Sequence, residues 1–262
     1  FNNVMETCAL QQHINFTNAL QIAGVKGFSD EKTQTQYVER GPVTYVARTN
    51  GMAHFHAIRQ INPRTICVMN PDTSAPNALR KAGFRQIMTP ASVAEIDLHS
   101  FHPLQKWRNA QRKAEKSPIT MTHRLFDPLK DDWLFKADLA QQRTKKFRAT
   151  PHAIALFWPA HDTLLSIAYL GKIPVAAMLF LTHGATATYQ IGWTTDEGRT
   201  HAGHNLLLAQ AFENLSKRRL KRLDLGTVDT INAPALARFK IGAGATIRPL
   251  GGTWAALPLW RS

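Results

Sequence analysis

Acidic residues are scarce in this chain and cysteine is nearly absent. Against 32 lysines and arginines stand only 18 aspartates and glutamates, a formal net charge of +14 over 262 residues. Such an imbalance draws a protein toward polyanions, whether nucleic acid, anionic lipid or an acidic carrier protein. The two cysteines, Cys8 and Cys67, lie far apart and neither belongs to a metal-ligand spacing; a reduced, cytoplasmic setting is the simplest account. The histidines are numerous, yet none is paired at metal-ligand spacing with a supporting carboxylate, so no metal site is expected. A Cys/His nucleophile system, a Walker loop and a dinucleotide fingerprint are all missing. No apolar run reaches the roughly 18–20 residues that span a bilayer. The stretch Phe1–Thr7 has neither the basic nor the apolar region of a signal peptide.

What remains is ordinary globular material, 44% hydrophobic, enough for one large domain or two small ones sharing a core. Its most informative stretch runs from Leu164 to Gly244. Three short apolar runs, 164–169, 175–181 and 185–193, are broken by Gly171 and Gly184, and read as antiparallel strands joined by tight turns. Then the period changes. Leu206, Leu207, Ala211 and Leu215 follow helical spacing after Gly203. A strand over 223–226 and a helix over 233–239 complete the stretch, with Lys240 expected just beyond that helix.

The N-terminal part carries a weaker version of the same order. A helix is expected over 8–23, a strand over 43–47, and a hairpin at Asn50-Gly51 returning as a strand over 53–61. A strand over 65–69, a helix over 77–82 and strands over 84–87 and 94–98 follow. The segment 104–116 is an amphipathic helix. Leu104, Trp107, Ala110 and Ala114 share one face, and Lys106, Arg108, Arg112, Lys113 and Lys116 the opposite arc. A strand over 119–123 and a helix over 133–147 precede Pro151.

Three meander strands, helix, strand and helix resemble the layout of the GNAT acyltransferase fold, an α+β class with a mixed sheet and flanking helices. Asp224-Leu225-Gly226 followed by Arg238-Phe239-Lys240-x-Gly242-x-Gly244 is similar to the signature of its FemAB-like branch, which includes the peptidoglycan-bridge aminoacyltransferases. The basic helix also resembles the helix that joins the two GNAT copies of that branch. The resemblance implies a tandem arrangement: a reduced first copy over 1–103, linking basic helices over 104–150, and a catalytic copy over 151–262.

It further implies an N-acyltransferase that moves an acyl or aminoacyl group to an amine. The co-substrate would be acyl-CoA, an acylated acyl carrier protein or an aminoacyl-tRNA, with no permanently bound cofactor. Lys240 is the expected oxyanion stabiliser, with Asp224 as a base or amine anchor and Tyr189 on the carbonyl-holding strand. Gly192, Trp193, Arg199, Gly203 and His204 would bind the donor, although the loop Arg199–Asn205 departs from the pyrophosphate-wrapping pattern of coenzyme A users. Arg108, Arg112 and Lys113 are candidate contacts to a polyanionic carrier. A peptidoglycan-bridge aminoacyltransferase using charged tRNA, and a non-catalytic nucleic-acid binder on a degenerate GNAT scaffold, stand as alternatives.

Overall fold

A computed structural model describes residues 7–50, 54–145 and 150–259. The chain opens with α1 (Ile14–Ile22), capped by the His13 ring, which accepts from Asn15 N. The meander β1 (Gly27–Asp30), β2 (Thr35–Arg40) and β3 (Val43–Thr49) follows, then α2 (Phe55–Gln60), β4 (Ile66–Pro71), α3 (Pro76–Lys81) and β5 (Arg85–Met88). Next come β6 (Ser92–Asp97), α4 (Gln105–Glu115), β7 (Ile119–Arg124), α5 (Asp132–Lys145) and α6 (Ala153–Leu156). The long meander β8 (Thr163–Leu170), β9 (Ile173–His183) and β10 (Thr186–Thr194) leads to α7 (Asp196–Thr200) and α8 (Gly203–Lys217). The last elements are β11 (Arg222–Val228), α9 (Pro234–Gly242), β12 (Thr246–Pro249) and β13 (Thr253–Ala256).

These elements form two compact units, residues 1–93 with 248–262, and residues 94–247. The first contains a six-stranded mixed sheet in the order β1-β2-β3-β4-β13-β5, the second a seven-stranded one in the order β12-β6-β11-β10-β9-β8-β7. Each unit runs meander, helix, strand, helix, strand, so the expected repetition of a GNAT-like order is present. The units part the chain elsewhere than at 103 and 150. β6 follows β5 in sequence yet lies between β11 and β12. β13 follows β12 yet lies between β4 and β5, antiparallel to both. The two strands fill the same slot of their sheets, β6 coming from between the two meanders and β13 from beyond the second.

Two local expectations are corrected. The segment after Asn50 is not a hairpin arm but contains α2, because β4 pairs with β3 in parallel and a parallel neighbour needs a crossover. Phe55 and Ile58, three apart, bury on the face that helix turns inward. Gly51 of the expected turn lies outside the described residues, as does the expected end of the 133–147 helix. The helix over 233–239 continues to Gly242, which places Lys240 in its last turn rather than beyond it.

The core of the second unit explains its strand pattern. β9 is buried continuously from Val175 to His183, covered on both faces, so it reads as an unbroken apolar run rather than an alternation. Leu207, Leu208, Ala211 and Leu215 of α8 pack into the same cluster as Leu164, Met178, Phe180, Leu223 and Leu225. The first unit has its own core around Val46, Phe55, Met69, Leu79, Phe84 and Trp254.

Candidate active site

The second sheet opens along β10. Its parallel pairing with β11 covers Thr186–Thr188 against Arg222–Asp224, while its antiparallel pairing with β9 continues to Thr194. The β9 register shifts between Tyr189 and Ile191, a bulge at Gln190. A bulge adds local twist and re-aims the strand. Tyr189–Thr194 therefore diverges from β11 and is registered with β9 alone. This is the splayed strand expected from the sequence.

The Tyr189 ring lies directly over Gly192: a Cβ there would sit 1.4 Å from the phenol oxygen and 2.4 Å from Cζ. Only glycine fits under that ring, so the close approach that Gly192 permits is made by the protein's own side chain. Burial, and then the charge of Asp138, raise the Tyr189 pKa well above that of a free phenol, so the hydroxyl stays protonated. The carbonyl of Gly192 accepts from Gln141 Nε2 at 2.8 Å, and that of Trp193 from His204 Nε2 at 2.9 Å. Two successive strand carbonyls are thus tied to α5 and α8. Because a carbonyl only accepts, Nε2 of His204 carries the proton. Burial holds the His204 pKa down to about 4, against the opposing pull of the Trp193 and Ala177 carbonyls. Trp193 itself meets Trp133 edge to face, ring centres 5.4 Å apart.

Arg199 folds back on its own loop, donating to Thr194 O at 3.1 Å and pairing with Asp196. Gly203 is a packing glycine: a Cβ there would stand 3.2 Å from both Ala176 Cβ and Gly198 O, so α8 starts hard against β9. Among the expected donor-binding residues, then, His204 and Gly203 sit at the foot of α8 and Gly192 and Trp193 on β10.

Across the opening, Lys240 reaches from α9 to β11. Its side chain is buried, and Nζ donates to the carbonyl of Thr227 at 2.7 Å. It caps a strand, then, and not the carbonyls of its own helix. Desolvation lowers its pKa from 10.5 to about 8, with Asp224 pulling the other way. The Asp224 carboxylate is itself buried and accepts from Gly226 N at 2.7 Å, holding Gly226 in the left-handed region at φ +77°. The structure brings Lys240 and Asp224 together on the β11 side. Tyr189 keeps different company, since the carboxylate that acts on it is Asp138 of α5.

Sequence reading passed over Asp138, which accepts from His152 Nε2 at 2.7 Å and Gln142 Nε2 at 2.6 Å. His152 stacks on Phe135, ring centres 4.7 Å apart. An aspartate within a charged amphipathic helix looks solvated in a sequence, and its partner lies 14 residues away. The only local signal was the Gln142 partner one turn on.

The basic helix docks as expected. Trp107 of α4 packs over Gly242, where a Cβ would lie 3.1 Å from the indole, and beside Phe239 and Phe101. Two clefts flank that helix. The larger, about 580 Å³, is lined by Asn109, Arg112, Lys113, Lys116, Ser117, Pro118 and His201. The smaller, about 350 Å³, takes Arg108, which also donates to Gln105, together with Phe101 and Phe212. Neither is lined by Lys240, Asp224 or Tyr189. Among the described residues no cluster of His, Cys, Asp or Glu could hold a metal ion, and no helix is long and apolar enough to cross a membrane.

Comparison with known proteins follows this geometry. Residues 104–240, just over half the chain, match the family described as acetyltransferase (GNAT) domain. No curated protein matches by sequence. Among solved structures, FemX superposes with a TM-score of 0.72 at 12% identity, covering 95% of this chain and 92% of FemX. The C-terminal domain of a putative lysylphosphatidylglycerol synthetase from Agrobacterium fabrum gives 0.67 at 12% identity, covering 96% and 88%. A tandem GNAT protein from the clavulanic acid biosynthesis pathway gives 0.54 at 14%, covering 87% and 79%. The match begins at α4 and ends on Lys240, and so spans both sides of the opening. The chain therefore belongs to the acetyltransferase (GNAT) domain family, an acyltransferase whose fold is shared with FemX.

Proposed function

We propose that the chain transfers an activated acyl or aminoacyl group from an ester or thioester carrier to an amine, with the reaction centred where β10 leaves β11. The observation that carries this reading is the buried ammonium of Lys240, placed beside Asp224 at that divergence. In such a transfer the amine lone pair attacks the donor carbonyl and a tetrahedral oxyanion forms. Collapse then breaks the bond to the carrier oxygen or sulfur, and the proton lost by the amine ends on that leaving group. Lys240, with a pKa of about 8, is mostly charged at neutral pH and supplies the positive charge that the oxyanion needs. Asp224 keeps that charge in place and fixes the Gly226 turn around it. Tyr189, protonated and set over Gly192, shapes the strand against which the carbonyl would lie.

The carrier is coenzyme A, an acyl carrier protein or tRNA. The likeness in fold to FemX and to a domain of a putative lysylphosphatidylglycerol synthetase supports the aminoacyl variant. The net charge of +14 favours a large acidic carrier. The test is to offer the purified protein labelled acetyl-CoA and, separately, an aminoacylated RNA minihelix, each with a panel of amino acids and stem peptides. Amide product, read by mass spectrometry, is the expected result. No amide from either donor with any acceptor would count against the reading.

A further inference from the structure

The larger cleft beside α4 is not used by the transfer chemistry just described, and its lining is unusual. Arg112, Lys113 and Lys116 are exposed on one wall, and among the described residues none of their side chains forms an ion pair or hydrogen bond. No carboxylate lines the cleft. Arg112 and Lys116 are one turn apart, where like charges repel. The negative end of the α4 dipole accounts for cations in the last turn of a helix. It does not account for their convergence with Asn109 and His201 around one cavity. His201 ends α7 and stands two residues before α8, so the opposite wall is the approach to a helix N-terminus, which favours negative charge.

In the first turn of α8 the half-buried His204 is engaged by the protein itself, its ring donating to Trp193 O, and Gly203 is packed onto β9. At about 580 Å³ the cleft matches a small-molecule moiety such as one nucleotide, not a duplex.

We infer that the cleft between α4 and the α7–α8 turn seats the phosphates of a nucleotide-bearing donor, gripping the carrier at the end remote from its acyl group. The assignment rests on the acyl-transfer reading for the word donor, but phosphate binding itself does not. The shared chemistry is a nucleotide phosphate, and its source is either coenzyme A or the terminal nucleotides of an RNA.

Calorimetric and fluorescence titrations at 50 and 200 mM salt distinguish these, using three probes: coenzyme A, a labelled RNA minihelix and inorganic pyrophosphate. The triple variant Arg112→Gln/Lys113→Gln/Lys116→Gln should bind the nucleotide probe at least about 10-fold more weakly, with a salt slope shallower by roughly 2–3. Lys217→Gln/Arg219→Gln, exposed and outside the cleft, should change affinity less than about twofold. Tighter binding of coenzyme A names a cofactor donor, and tighter binding of the minihelix an RNA donor. Binding of pyrophosphate alone, equal affinity in the triple variant and wild type, an equal loss in both variants, or no binding at 50 mM salt overturns the inference. Lys240→Met should leave these titrations unchanged. A protein that binds through the three cations yet forms no amide would therefore overturn the transfer reading and leave the phosphate seat standing.

Discussion

Lys240→Met is the perturbation that tests the site most directly, because its two readouts, stability and turnover, should respond by very different amounts. In the fold the pKa of Lys240 falls from 10.5 to about 8, so carrying the charge there at neutral pH costs on the order of 3 kcal/mol. Methionine has similar length and no charge, so it removes that desolvation cost, but it also takes away the opposite charge beside the buried Asp224 carboxylate. The lost hydrogen bond goes to the carbonyl of Thr227, an exposed residue, where water can replace the ammonium. Stability at pH 7 should accordingly change little, the relieved desolvation of Lys240 offsetting the lost partner of Asp224.

The sign with pH follows from the same shift. Between pH 8 and 10.5 the unfolded chain holds this proton and the folded one does not, so wild-type stability rises through that window. The variant should lack that share of the rise. Turnover should fall about 10²-fold or more, as for removal of one well-placed oxyanion donor. Urea denaturation at pH 7 and 9.5, with single-turnover amide formation on the donor that titrates, supplies both readouts. Near-normal turnover in a stably folded variant would remove Lys240 from the chemistry and refute the reasoning.

Two further outcomes bear on β10. Gly192→Ala places a methyl group inside the Tyr189 ring, so it should cost about 1–3 kcal/mol and abolish transfer; thermal unfolding and the amide assay check this, and recovery of stability in Tyr189→Ala/Gly192→Ala locates the clash. His204 is held neutral with a pKa of about 4, below its unfolded value of 6.5, so its contribution is full above pH 6.5 and is lost as pH falls toward 4. His204→Gln keeps an amide donor for Trp193 O and should flatten that part of the acid destabilisation; denaturation at pH 7 and 4.5 yielding identical losses in both proteins would contradict the account.

Much of the second unit was legible because its signals are local. The meander runs are bounded by glycines, α8 shows a clean helical period, and Trp107 with the alanines marks the docking face of α4. α2 was misread because alternating histidines and apolar residues after Asn50-Gly51 mimic a hairpin arm, and only the parallel register of β3 with β4 decides against it. Lys240 was picked out by its motif, but its bond to Thr227 and its company with Asp224 depend on where α9 docks, which no spacing encodes. Asp138 and His152 were invisible for a related reason, since a pair separated by 14 residues leaves no periodic trace.

The slots filled by β6 and β13 bear on how the chain is made. β13 completes the first sheet between β4 and β5, so that sheet stays open on the ribosome until all of the second unit has been synthesised. During that interval β4 and β5 present unpaired edges, the kind of surface that recruits strands from other chains. Cutting the chain between residues 93 and 94 would leave the N-terminal fragment without β13, while the C-terminal fragment would carry both β13 and most of its own β6. Such a duplication is locked on one side: the first copy cannot be made or inherited alone without leaving its sheet open.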